Sequence, residues 1–296
     1  MVLIVLDLEW NGAFSKKTHG YFNEIIEIGA VKLNDRMEQL STFHCVIRPV
    51  VGRKLSSIVT DLTSITEEEL AVGRTFPGAA SLLRKWIGRE EAVLLTWSTT
   101  DLSVLTENCR YFLGSDRIPF MSAYVDAQAY CQKRLGLEGS QQLGLERAAG
   151  LLEIEDGGLD HHRALDDSLL TAAVLRRLYD AVDFLPLIQK ADTSFYERLN
   201  FKNVYIRDIN SPLISRSDLR FKCEHCGRGM RRKGEWRFRN RSFFADFACR
   251  GCGRNYTARV QCRLKYEGLE VKRRLTEKLT ETEANMIPTD TFVERS

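Results

Sequence analysis

The sequence contains no apolar run approaching the roughly 20 residues that a membrane-spanning helix needs, which excludes a membrane bundle. Proline is scarce, with 6 in 296 residues, and glycine numbers only 20, so a collagen-like fibre is excluded too. No internal repeat is present. The opening stretch MVLIVLDLEW has no basic region ahead of its apolar residues and no small-residue cleavage site. A secretory signal peptide is therefore not expected, and the cytoplasm is the expected compartment. Net charge is nearly absent as well, at +3. The remaining composition is that of a folded protein: 44% hydrophobic and 28% charged residues, which excludes a largely disordered chain. The length suggests two domains or one large one.

The small net charge hides a split. Residues 216–274 carry 18 Lys/Arg against 6 Asp/Glu, a net +12, whereas residues 1–215 carry −6 and the tail from Leu275 carries −3. An acidic body joined to a strongly basic module points to polyanion binding.

Residues 2–6 are five consecutive apolar residues, three of them β-branched, as in a strand buried on both faces. Further strands are expected at 25–33, around 43–48 and at 92–96. Thr66 followed by Glu67, Glu68 and Glu69 marks a helix start. Helices are also expected over 79–87, from about Asp101, over 142–152 and over 163–182. Strands first, then alternation with helices, indicate an α/β domain with a mixed sheet.

Asp7 and Glu9 stand two apart at the carboxyl end of the first strand, so both side chains share one face. Two like charges beside an apolar strand repel each other and lose hydration. A divalent cation removes both penalties, whereas a pair of surface carboxylates would need none. In HHRALDDSLLTA, Asp167, Leu170, Val174 and Leu178 fall on one helix face. Asp167 therefore begins the stripe that faces the sheet, while Asp166 points elsewhere as a first-turn acid. His162 lies just before this helix and suits proton transfer near neutral pH, with His161 as the competing candidate. Asp101 opens the helix after the 92–96 strand, and open α/β sheets place their sites at the carboxyl ends of strands.

The order Asp7-x-Glu9, Asp101, then His162 with Asp167 five residues later resembles the DEDDh 3′-5′ exonucleases of the RNase T and polymerase-proofreading superfamily. NEIIEIGAVKLN looks like that family's second strand, and QLGLERAAGLLEIE followed by HHRALDD like its helix before the last motif. PVVGRKLSSIVTDLTSITEEELAVGRTFPGA resembles the connection in the branch that trims RNA 3′ ends in RNA interference and histone-mRNA turnover. The resemblance covers about residues 1–182. It implies an RNase H-like mixed sheet flanked by helices, and hydrolysis of phosphodiester bonds at 3′ ends to release nucleoside 5′-monophosphates. It also implies that Asp7, Glu9 and Asp167 ligate two Mg²⁺ or Mn²⁺ ions, with Asp7 bridging, and that Asp101 acts through a water on a metal. His162 would be the general base; His161 would replace it only if Asp166 were the ligand. Single-stranded 3′ ends are the implied partner, RNA favoured over DNA. Trp10 departs from the family, whose members more often carry a smaller or aliphatic residue there. It either stacks on the terminal base or packs in the core.

Cys223, Cys226, Cys249 and Cys252 form two C-x-x-C pairs separated by 22 residues, the spacing of one structural Zn²⁺. Gly227 and Gly253 follow the pairs and suit the tight turns of zinc knuckles. His225 is a poorer ligand than its flanking thiols, and Cys262 is expected inside. Residues 256–266 alternate, with Arg259, Arg263 and Lys265 on one face and apolar residues on the other. Trp236 and Phe238 likewise alternate with Arg237, Arg239 and Arg241. The Arg-rich face is expected to grip nucleic-acid phosphates; the alternatives are a solvated basic face and a surface that docks a protein partner.

The expected organisation is an exonuclease domain over 1–183 and a connecting segment over 184–215, packed on the body through Phe195, Tyr196, Phe201 and Tyr205. A basic zinc-ribbon-like domain over 216–274 and a polar tail over 275–296 follow. No membrane partner is expected. The rival function is a non-catalytic nucleic-acid-binding or scaffold protein built on an exonuclease fold.

Overall fold

The computed structural model describes residues 1–52, 54–88, 91–137, 142–154 and 162–278. His161 and most of the expected tail lie outside the described residues. The chain divides into two compact units, residues 1–200 and 201–296.

In the first unit the strands are β1 (Val2–Ser15), β2 (Gly20–Leu33), β3 (Gln39–Val46), β4 (Ala92–Thr96), β5 (Ala123–Asp126) and β6 (Gln189–Lys190). They form one mixed sheet in the order β3-β2-β1-β4-β5-β6. β1 runs antiparallel to β2 and parallel to β4. Between β3 and β4 come α1 (Ser57–Thr63), α2 (Glu67–Ala71) and α3 (Phe76–Ile87). α4 (Thr100–Asn108) follows β4; α5 (Ala127–Arg134), α6 (Leu145–Leu151) and α7 (Ala164–Leu178) follow β5; α8 (Ala181–Phe184) and α9 (Thr193–Asn200) flank β6.

The alternation of β1 explains the two layers of helices. Ile4, Leu6 and Leu8 enter a core with Phe76, Ala79 and Leu83 of α3 and Leu102 and Leu105 of α4. Leu3 and Val5 enter a second core with Tyr130 of α5, Ala148 of α6 and Leu170, Val174 and Leu175 of α7. Each fully buried side chain of this size contributes roughly 1.5–3 kcal/mol, so burying both faces outweighs the missing polar alternation. α2 begins where expected: Thr66 and Glu69 form a reciprocal capping box.

β1 and β2 are both 14 residues long, well beyond the expected 2–6 and 25–33. Their additional length is a hairpin held by cross-strand pairing from Trp10↔Ile25 to Ser15↔Gly20, which leaves no mark in the hydrophobic pattern. Among the described residues no helix is long and apolar enough to cross a membrane.

The stretch 184–215, expected as one connecting segment, is divided between the units. β6 pairs with β5, and Phe195 and Tyr196 are buried in the first core, which assigns residues to Asn200 to unit one. In unit two, β7 (Val204–Tyr205) pairs with β10 (Asn255–Lys265), and Ile214 lies in that unit's core. β8 (Arg231–Arg239), β9 (Ser242–Ala248) and β11 (Gly268–Glu277) complete its sheet, ordered β11-β10-β9-β8. β11 takes in residues 275–277, placed with the tail by composition, because Leu275 packs on the core.

Candidate active site

The period of β1 carries Asp7 and Glu9 onto the face of Leu3 and Val5, under α7. Gly29, opposite Asp7 on β2, decides how near α7 comes. A Cβ at Gly29 would lie 2.0 Å from the carbonyl carbon of Ala164 and 2.1 Å from the amide nitrogen of Leu165. Only a bare backbone admits the helix at this depth. Ser168 Oγ donates to the Gly29 carbonyl at 3.0 Å and pins the same contact. The first turn of α7 thereby brings Asp167 to Asp7 and Glu9, and carboxylate oxygens of all three lie within 4.8 Å of one another.

At that separation two carboxylates repel by roughly 3 kcal/mol for an effective dielectric near 20. Burial is the larger effect, and with the surrounding Asp101, Asp167, Glu9 and Glu27 charges it raises Asp7 well above the usual carboxylate range. Burial first, then Asp167, Glu27 and Asp101, push Glu9 up to about 8, against the lowering influence of Arg163. Asp101 is buried on the first turn of α4. Its carboxylate accepts from the Leu8 backbone N–H, but burial still pushes it up to about 7. Hard oxygen donors crowded in this way fit divalent cations of the Mg²⁺ type, whose charge removes the repulsion.

A β-bulge falls between Glu9 and Trp10, a device that re-aims side chains beside active sites. Trp10 packs against the core that holds Leu8, on the strand face away from Asp7 and Glu9. Its ring is half-buried there. His162 is exposed, in a turn with φ 67°, and lies outside the 4.8 Å cluster. Asp166 is outside the cluster as well.

Glu27, which the motif reading missed, organises the site. It is fully buried and stands directly opposite Glu9. Its carboxylate is hydrogen bonded to His44 Nε2 at 2.7 Å and accepts from Arg163 at 2.6 and 3.0 Å and from the Ala164 N–H at 2.9 Å. Burial alone would raise this acid, but these hydrogen bonds outweigh it and hold Glu27 at about 2. The signal was an acid inside the apolar run IIEIGAV.

In unit two the Sγ atoms of Cys223, Cys226, Cys249 and Cys252 all lie within 4.8 Å, the closest pairs at 3.4 and 3.5 Å. Disulfide sulfurs would be about 2.05 Å apart, whereas a tetrahedral zinc with Zn–S near 2.3 Å sets sulfurs about 3.8 Å apart. The four thiols fit zinc. The two knuckles close alike. Gly227 N–H donates to the Cys223 carbonyl at 2.8 Å and Gly253 N–H to that of Cys249 at 2.9 Å, with both glycines at positive φ. The Tyr256 hydroxyl lies 3.5 Å from Cys223 Sγ, a supporting contact that sequence reading did not foresee. His225 is outside the cluster, and Cys262 is buried in the core behind the sheet. The outward face of the sheet carries Arg237, Arg239, Arg259, Arg263 and Lys265, as the alternation implies.

The first unit thus defines a class: a mixed α/β domain whose central strand carries, midway along its length rather than at the expected carboxyl end, a carboxylate cluster suited to divalent cations. The family model described as Exonuclease, RNase T, matches residues 4–175, and the chain belongs to this family, its first unit being a DEDDh 3′-exonuclease domain on an RNase H-like fold. ERI1 exoribonuclease 3 of Mus musculus is 27% identical over 189 residues, which cover 59% of this chain and 52% of that protein. DNA polymerase III PolC-type of Thermotoga petrophila is 28% identical over 179 residues, covering 60% of this chain and 12% of the polymerase. The chain therefore spans about half of the one relative and a small part of the other. The nuclease domain of 3′hExo, a DEDDh family member bound to rAMP, superposes with a TM-score of 0.52 at 25% identity, over 60% of this chain and 90% of that one. A 3′-exonuclease solved for its recognition of a histone mRNA stem-loop gives 0.54 at 22%, over 65% and 91%.

Proposed function

We propose that the protein is a 3′-5′ exonuclease that shortens single-stranded RNA and releases nucleoside 5′-monophosphates. The observation that carries this reading is the convergence of Asp7, Glu9 and Asp167 within 4.8 Å, inside a domain of the exonuclease family. RNA is favoured over DNA because the mouse relative is named an exoribonuclease and the 3′hExo domain was solved with rAMP.

Asp7, Glu9 and Asp167 would hold divalent cations, Mg²⁺ or Mn²⁺. Bound there, the ions supply positive charge to the attacking and leaving oxygens of an in-line displacement. Asp101, anchored by the Leu8 N–H, orients water beside the cluster. His162, in the exposed turn ahead of α7, takes the proton from the attacking water. Glu27 fixes the Arg163–Ala164 peptide, and so the helix start from which both His162 and Asp167 project. The zinc module grips nucleic acid through its Arg-rich face, which contributes part of the +12 over residues 216–274. A cytoplasmic setting suits knuckle thiols that must stay reduced.

The test is a gel assay on end-labelled single-stranded RNA, duplex RNA with a 3′ overhang and single-stranded DNA, with Mg²⁺ and with Mn²⁺. Stepwise loss from the 3′ end, fastest on single-stranded RNA, is expected. No degradation under any condition would favour the binding or scaffold reading.

A further inference from the structure

The outward face of the second unit carries two aromatic rings, each set among guanidiniums. Phe244 lies 5.4 Å from Arg239 and 5.9 Å from Arg259. Tyr205 lies 5.3 Å from Arg241 and 5.7 Å from Arg263. Arg259 and Arg263 are four residues apart on β10, so the two settings are about 13 Å apart along the strand. Beside the second runs an open groove of about 810 Å³, lined by Tyr205, Arg207, Phe238 and Arg241 among others. Phe238, at the rim of this groove, is 39% exposed and packs edge-on against the core residue Phe243, on the side of β8 away from Arg239.

The charge of these four arginines is unbalanced. Some bases of this unit have acids: Arg237 and Lys278 share Asp246, Arg254 has Glu277, Lys265 has Glu270 and Arg232 has Glu235. Arg239, Arg241, Arg259 and Arg263 make no ion pair with any described residue. Glu270 is the cross-strand partner of Arg263 but bonds Lys265 at 2.6 Å instead. Arg259 stands directly opposite a further base, Arg274, a like-charge pairing that disfavours the sheet unless an anion covers it.

The backbone gives an independent indication. Asn240 and Arg241 form the two-residue turn between β8 and β9, with φ 48° and 58°. Such a turn favours Asn-Gly, because a side chain at the second position is strained. Asn240 follows that preference and Arg241 does not. The strained residue is the one whose guanidinium sits over Tyr205, and strain of this kind, about 1 kcal/mol or more, collects at ligand clamps.

We propose that this face binds an unpaired stretch of nucleic acid: Tyr205 stacks on a base beside the groove, and Arg239, Arg241, Arg259 and Arg263 hold the flanking phosphates. The proposal rests on the reading of the protein as a nuclease and narrows its zinc module to single strands. Exposed rings have a use only against unpaired bases, while arginines in a line suit any phosphate backbone.

The test uses the full zinc-loaded chain carrying Asp7→Asn, so that substrate survives, and fluorescence anisotropy with a labelled 20-nucleotide single strand and the matching duplex. Tyr205→Ala should weaken single-strand binding about tenfold and leave duplex binding little changed. Arg241→Gly should weaken it several-fold and lower the salt slope by about 0.7, while the melting temperature holds or rises because turn strain is relieved. Arg254→Ala removes the same charge from an ion-paired site of the module and should bind as the parent does. Unchanged single-strand affinity in Tyr205→Ala and Arg241→Gly would overturn the proposal, as would equal losses in Arg254→Ala or equal losses on duplex. Failure of the nuclease reading shows separately, as undegraded RNA in the assay with the natural chain.

Discussion

Glu9 and Glu27 face each other across the β1–β2 ladder, and the protein treats these two like acids in opposite ways. Glu27 is fully buried but bonded by His44, Arg163 and the Ala164 N–H, and is held at about 2. Glu9 faces Asp7 and Asp167 and is pushed up to about 8, chiefly by burial. One acid is the structural anchor, satisfied by the protein itself. The other is left for a cation to satisfy.

Glu27→Gln should destabilise the fold by about 3 kcal/mol, since a depression from 4.5 to about 2 corresponds to that much stabilisation of the ionised acid. Because the folded value is depressed, this contribution is complete above about pH 4.5 and is lost as pH falls towards 2. Urea unfolding at pH 7 and pH 3 should give a large difference between natural and variant proteins at the higher pH and a smaller one at the lower.

The carboxylates of the cluster have the opposite sign. Asp7, Glu9 and Asp101 are raised in the metal-free fold, so between about pH 4.5 and 8 the folded state holds more protons than the unfolded one. Stability without Mg²⁺ should then fall as pH rises through that window. Added Mg²⁺ should raise the melting temperature more at pH 8 than at pH 6. A Mg²⁺ shift independent of pH would contradict the cluster as the binding site.

Asp7→Asn should separate stability from chemistry. Removing one charge relieves repulsion with Glu9 and Asp167, so the Mg²⁺-free variant should melt at a higher temperature than the natural protein. Its nuclease rate should fall to near zero, because the cluster that would hold the cations loses one of its three carboxylates. His162→Ala should also be nearly inactive, whereas His161→Ala should stay close to normal; the reverse pair of results would move the base to His161.

Gly29→Ala should destabilise by roughly 2 kcal/mol or more, because its Cβ would lie 2.0 Å from the Ala164 carbonyl carbon. Any relief moves α7 off the sheet and Asp167 away from Asp7. Mg²⁺ affinity, read by calorimetry, should weaken at least tenfold. An alanine variant with unchanged Mg²⁺ affinity would show that this contact does not place Asp167.

Local pattern was a good guide wherever the relevant neighbours are close in sequence. Asp7 and Glu9 share a strand face because a pleat has period two. The Thr66 capping box spans three residues, and each zinc knuckle spans only a few. The stripe beginning at Asp167 was readable for the same reason, as helix period is local. The apolar periodicity did not show the hairpin over 10–25, because the residues it buries include polar Asn11, Ser15 and Glu24 beside Phe22. Nor did composition show that 184–215 divides near Asn200, since Phe195 and Tyr196 pack in the first core whereas Tyr205 joins the second sheet by pairing with β10.

By itself the sequence therefore determined the candidates for chemistry: the carboxylates, the histidines, the four cysteines and the basic alternation. Only the tertiary structure decided which acid is a ligand and which an anchor. Glu27 and Arg163 are 136 residues apart and Gly29 meets Ala164 across a similar gap. A carboxylate's charge state follows from what is packed around it, and that environment exists only once β1, β2 and α7 have come together.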